Sequence, residues 1–168
     1  MKRTILIIIH LILILTVLPQ NSYSKNAENK KVYVSSMVIE GSKLTKKNIT
    51  LSKNEKEEIN KFLKITDTPE KMTFINIKSK SGDLLRSITF MERYLAEFNQ
   101  YHTIGVVINN DGTVYDASVI AAVDQYSLML ATKSFTGQFP GKSLKNSEFQ
   151  EDINGITGAT LSAKVFTD

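Results

Sequence analysis

Apolar residues are arranged in three different ways along this chain. From Thr4 to Leu18 they are nearly continuous, interrupted only by Thr4, His10 and Thr16. Through the middle they come as short β-branched and aromatic runs separated by polar turns, and towards the end their spacing widens to that of a helix. Val32 to Ile39 (VYVSSMVI) has the composition of a first strand. Gly41 to Leu51 reads as a polar connection. Ser52-Lys-Asn-Glu55 is a capping box, and Ile59, Phe62 and Leu63 follow it at helical spacing, so a helix is expected that stops before Pro69. Met72 to Lys78 alternates as a half-buried strand does, and Ser81-Gly82-Asp83 turns the chain into Leu84 to Met91. Tyr94 to Tyr101 fits a short helix or a strand continuation equally well.

The plainest local signal is a hairpin. Thr103 to Ile108 and Thr113 to Ala122 are apolar-alternating runs joined by Asn109-Asn-Asp-Gly112, and Asp-Gly supplies the positive φ that a tight connection needs. Tyr126, Leu130 and Phe135 then mark a helix that Gly137 would end. Gln138 to Asn146 reads as a loop, and a last turn or two of helix runs to Phe166. Strands outnumber helices and meet through hairpins. The expected class is therefore α+β, a mostly antiparallel sheet with flanking helices.

The first apolar run changes the picture of the whole chain. Met1-Lys2-Arg3 is basic, the run follows, and Ser22-Tyr23-Ser24 is a small-x-small site, the pattern of a secretory signal peptide. An uncleaved anchor is the rival reading, but spanning a bilayer takes about 20 apolar residues. The expected division is a signal peptide over 1–24, an N-terminal strand and helix region over 25–71, and the main domain over 72–168. Export outside the cytoplasm follows from it, in a periplasmic or other extracytoplasmic space, free or associated with the membrane.

The formal charge of +4 falls to about +2 without Lys2 and Arg3, and the lysines are spread along the sequence rather than striped. No nucleic-acid partner is expected. With no cysteine there is no disulfide, iron–sulfur cluster or thiolate zinc site. His102 is the one histidine after the leader, so multi-histidine metal sites are excluded, and no serine stands in a nucleophile elbow. His102 itself reads as a surface or half-buried structural residue. Walker and dinucleotide fingerprints are absent.

What remains is Gly155-Ile-Thr-Gly-Ala-Thr-Leu-Ser162. Glycine and alanine let a bulky ligand come close to the backbone, and free N–H groups at a helix start favour a phosphate. The alternative is a turn followed by a Thr or Ser N-cap.

Asp152-Ile-Asn-Gly-Ile-Thr-Gly-Ala-Thr-Leu-Ser162 resembles the flavinylation motif of the FMN-binding domain family, Asp-x-x-(Ser/Thr)-Gly-Ala-Thr. That family includes flavin subunits of the sodium-translocating NADH:quinone reductase and Rnf complexes and many small exported proteins. Ile104 to Val119 is similar to its central hairpin, and Gln138-Phe-Pro-Gly-Lys142 to its Gln-Phe-x-Gly-Lys element. The resemblance implies FMN joined through its phosphate to Thr160 by a flavin transferase. Thr157, Gly158 and Ala159 would form the close backbone around the phosphate, with Ser162 nearby. Where the family has aspartate six residues before the acceptor, this chain has Asn154. The implied role is that of an electron carrier or subunit without substrate turnover. The alternative is a binding or scaffold module of the same fold without flavin.

Overall fold

The computed structural model describes residues 21–63, 68–95, 100–122, 127–143 and 153–154. Its centre is a five-stranded antiparallel sheet in simple meander order: β1 (Lys43–Thr50), β2 (Lys71–Lys78), β3 (Leu84–Leu95), β4 (Gln100–Asn109) and β5 (Val114–Ala121). Helix α1 (Asn21–Met37) precedes the sheet, and α2 (Lys53–Leu63) lies between β1 and β2. Two single turns, α3 (Ser127–Leu130) and α4 (Lys133–Thr136), follow β5. This is the expected α+β arrangement.

The hairpin forms as its residues demand. Ile104 pairs with Val119, Val106 with Ala117 and Ile108 with Val114 across β4 and β5. Gly112 takes φ +89°, and the Asp111 carboxylate accepts from the Thr113 backbone N–H at 2.8 Å. The capping box also closes: Glu55 accepts from the Ser52 N–H at 2.7 Å, and the Ser52 hydroxyl accepts from the Glu55 N–H at 3.3 Å. The Ser52 hydroxyl also donates to the Glu55 carboxylate at 2.7 Å, and this bond, then that from the Ser52 N–H, holds the Glu55 carboxyl pKa below its ordinary value.

Three segments depart from the sequence reading. Val32 to Ile39 is not a strand; residues through Met37 belong to α1. Its apolar residues are used at helical spacing, with Tyr33 buried, Val34 and Met37 packed beside it and Val32 left 64% exposed. Packing against the sheet overrides the β preference of the valines. Gly41 to Leu51 is not merely a connection, because Lys43–Thr50 pairs residue for residue with β2. Its polarity reflects an edge strand open to solvent, where lysines discourage further pairing. The single helix expected over Tyr126 to Phe135 is broken: Thr132 is extended, at φ −72° and ψ 149°. The break lets both Leu130 and Phe135 turn inwards. Residues 1–20 of the expected signal peptide and the final helix lie outside the described residues, while residues 21–24 open α1. Among those residues no helix is long and apolar enough to cross a membrane.

The sheet is covered on both faces. On one, α1 packs Tyr33 against Ile77, Ile88, Val107 and Ile120. On the other, Leu130, Phe135 and Phe139 pack against Ile104, Val114 and Ala117.

Candidate functional site

The second face positions the region where the sequence places its chemistry. Phe135 and Phe139 meet edge to face, with ring centroids 5.5 Å apart, and both are buried. Gly137 caps α4, donating its N–H to the Lys133 carbonyl, so the chain leaves the helix with Gln138 between the two phenylalanines. The segment then runs beside β5. Val114 donates to the Lys142 carbonyl and Gly141 to the Val114 carbonyl, each at 2.8 Å, and Thr113 bridges Ser143. The Gln138-Phe-Pro-Gly-Lys142 element is thereby fastened to the start of the hairpin's second strand.

Gln138 reaches from this frame to residue 154. Its amide oxygen accepts from the Asn154 backbone N–H at 2.7 Å, and its amide nitrogen donates to the Asn154 carbonyl at 3.0 Å. One side chain thus satisfies both backbone groups of one residue, as a paired strand would. Beside it, Ile153 packs on the cluster of Ile104, Leu130 and Phe135. The backbone that leads into the small-residue run is held by an apolar anchor at 153 and a two-point polar clamp at 154. Asn154 itself is exposed.

Of the residues assigned to the flavin site, Asn154 is placed by the structure; Thr157, Gly158, Ala159, Thr160 and Ser162 lie outside the described residues. The sequence reading quoted Gln138 only as part of an element and gave it no role. No local signal could have done so, because its partner lies 16 positions away. His102 is not at the surface: only 4% of it is exposed, on a strand whose neighbours are core residues. Among the described residues no cluster of histidine, aspartate or glutamate is arranged to hold a metal ion.

A second polar group lies on the opposite face. The Tyr33 hydroxyl is 2.5 Å from an Asp116 carboxylate oxygen and 3.2 Å from the Gly105 carbonyl. Ser118 donates to the same carboxylate oxygen at 2.8 Å. Burial, and then the adjacent Asp116, push the Tyr33 hydroxyl well above its ordinary pKa, so it stays protonated and donates. Gly105 is required beneath it, since a Cβ there would lie 2.6 Å from the Tyr33 ring. Asn26 and Asn29 add bonds of 3.0 Å each to Thr103 and to the Ile120 carbonyl. These groups bind α1 to β4 and β5, and each is engaged within the protein.

Comparison with known protein families, with curated proteins and with solved structures finds no match.

Proposed function

We propose that this protein is an exported flavoprotein that carries electrons outside the cytoplasm, with FMN joined by a phosphoester to Thr160. The observation that carries the reading is the clamp of Gln138 on Asn154. It joins the Gln-Phe-Pro-Gly-Lys element, which is itself paired with Val114 of the hairpin, to Asn154 just before the small-residue run, and these are the three stretches that resemble the FMN-binding domain family. Their meeting in space was not built into the resemblance, which rests on each stretch separately.

The chemistry of the run suits the group. Thr160 offers a hydroxyl as phosphoester acceptor, and Gly158 and Ala159 leave the backbone open to a large ring system. The flavin, when bound, supplies the redox chemistry, while the chain supplies attachment and orientation. Gln138 and Ile153 hold the backbone just before the run, and Thr157 and Ser162 would offer hydroxyls to the phosphate.

The test is coexpression of the exported protein with a flavin transferase, followed by flavin fluorescence on a denaturing gel. Wild type is expected to fluoresce, Thr160→Ala to be dark, and Thr157→Ala to keep part of the signal. Asn154→Asp is expected to raise the yield by restoring the family's charge. Fluorescence retained by Thr160→Ala would move the attachment site elsewhere. A wild type that stays dark beside a competent transferase would leave a scaffold module of the same fold.

A further inference from the structure

Charge is unevenly divided along the chain. Residues 25–80 hold thirteen lysines against seven acidic residues, a net of +6, whereas residues 81–168 hold six basic against ten acidic residues, a net of −4. The first stretch builds α1, α2, β1 and β2; the second builds β4, β5 and the candidate flavin site. Exposed apolar surface follows the same division. Among the described residues the large exposed hydrophobic side chains are Val32, Val38, Ile39, Leu44 and Phe62 in the basic stretch, but only Tyr115 and Met129 in the acidic one.

These features converge on one groove. Helix α1 makes most of its sheet contacts with β4 and β5, and β1 at the far edge is exposed along nearly its whole length. The result is an open trough of about 720 Å³ between α1 and β1, with Ile75 and Phe90 on its floor and Lys31 and Lys46 on its two rims. Lys30 at the trough is held by Glu92 at 2.9 Å and lies over the Phe90 ring, but neither Lys31 nor Lys46 is in an ion pair among the described residues. The rims end in apolar residues. Val38 follows Lys31 and Ser35 along the same flank, its N–H still reaching the Ser35 carbonyl at 3.4 Å. Leu44 lies two residues before Lys46, hence on the same face of β1.

We infer that this groove and its apolar lip are a docking surface for an anionic phospholipid bilayer. Lysines beside exposed aliphatic side chains fit the headgroup and acyl boundary of such a membrane. A nucleic acid fits less well: there is no arginine among the thirteen cations of residues 25–80, and the ring in the groove, Phe90, lies on its floor with Lys30 over it, while the exposed apolar groups at the rims, Val38 and Leu44, are aliphatic. The surface is separate from the flavin site and does not depend on it.

The chain contains no tryptophan, so a single one reports on its own position. Val38→Trp in the full-length protein is expected to shift to the blue, and to be quenched by brominated lipid, with phosphatidylglycerol vesicles at low salt. Phosphatidylcholine vesicles should give little change, and Met129→Trp, exposed in α3 on the other face of the sheet, should respond to neither. Any insertion by the N-terminal apolar run leaves this contrast between the two reporters intact. Adding Lys31→Glu and Lys46→Glu to Val38→Trp should weaken the response at least about fivefold per reversal, and 0.5 M salt should weaken it further. Leu44→Trp serves as a second reporter if Val38→Trp does not fold. An absent shift at both positions, equal shifts at 38 and 129, or insensitivity to the charge reversals would overturn the inference. So would a lysine-dependent response to a DNA duplex without one to vesicles.

Discussion

The two faces of the sheet are covered by different chemistry. On the face under α1, a helix is fastened by directional bonds from Asn26, Asn29 and Tyr33, and the Tyr33 ring seats on Gly105. On the other, two short turns bury Leu130, Phe135 and Phe139 in a cluster that is apolar among the described residues. Polar bonds contribute little net stability each but are costly to leave half made, so they specify one placement of the helix. Apolar packing contributes more stability and fixes direction less. On the second face direction comes from its margin, where Gln138 holds Asn154 and Gly141 and Lys142 pair with Val114. Under the proposed function, presenting a modified residue at a defined place would call for both, a stable apolar seat and a polar guide beside it.

The comparison breaks most visibly at Phe135, which is fully buried. Phe135→Ala should cost about 3–5 kcal/mol in urea unfolding, because the cavity lies among core side chains that cannot all close in. Flavin loading should fall with it, as Ile153 loses the packing of its cluster.

On the helix side the corresponding loss is smaller and depends on pH. Tyr33→Phe should cost about 1–3 kcal/mol by removing the donor to Asp116. Because the Tyr33 hydroxyl is raised in the folded protein, its contribution is whole below the unfolded tyrosine value of about 10 and declines as the pH rises beyond it. Wild-type stability should therefore fall between pH 9 and 11 more steeply than that of Tyr33→Phe, as followed by denaturant melts in that range.

Gly105→Ala tests the fit of the helix itself. The added Cβ would meet Tyr33 at 2.6 Å and Ile120 at 2.9 Å, both side-chain atoms that can shift. A cost of about 1–2 kcal/mol is expected. In a double-mutant cycle, Tyr33→Phe and Gly105→Ala should couple, while Gly105→Ala and Phe135→Ala should add.

The smallest effect belongs to the margin of the second face. Gln138→Ala should change stability by no more than about 1 kcal/mol, since the Asn154 backbone groups it frees are exposed to water. It should nevertheless lower flavin loading clearly, and Gln138→Glu, which keeps an acceptor but loses the donor, should fall between. Gln138→Ala with undiminished loading would show that the clamp is structural only.

Much of the fold was legible because its signals are local. The Asn109–Gly112 turn, the Ser52–Glu55 capping box, the alternation of Met72 to Lys78 and the helix stop at Gly137 each depend on residues within a few positions, and each forms as read. Of the candidate site, the small-residue run and the Gln-Phe-Pro-Gly-Lys element could be picked out by residue type, but not the contact between them. That contact spans 16 positions, and the Tyr33–Asp116 bond spans 83. Only the tertiary structure made Val32 to Met37 a helix, since an apolar run of that length serves either period until a sheet decides which side chains to bury. It also made the lysine-rich Lys43–Thr50 a strand, because β2 offered a free edge whose backbone groups needed partners.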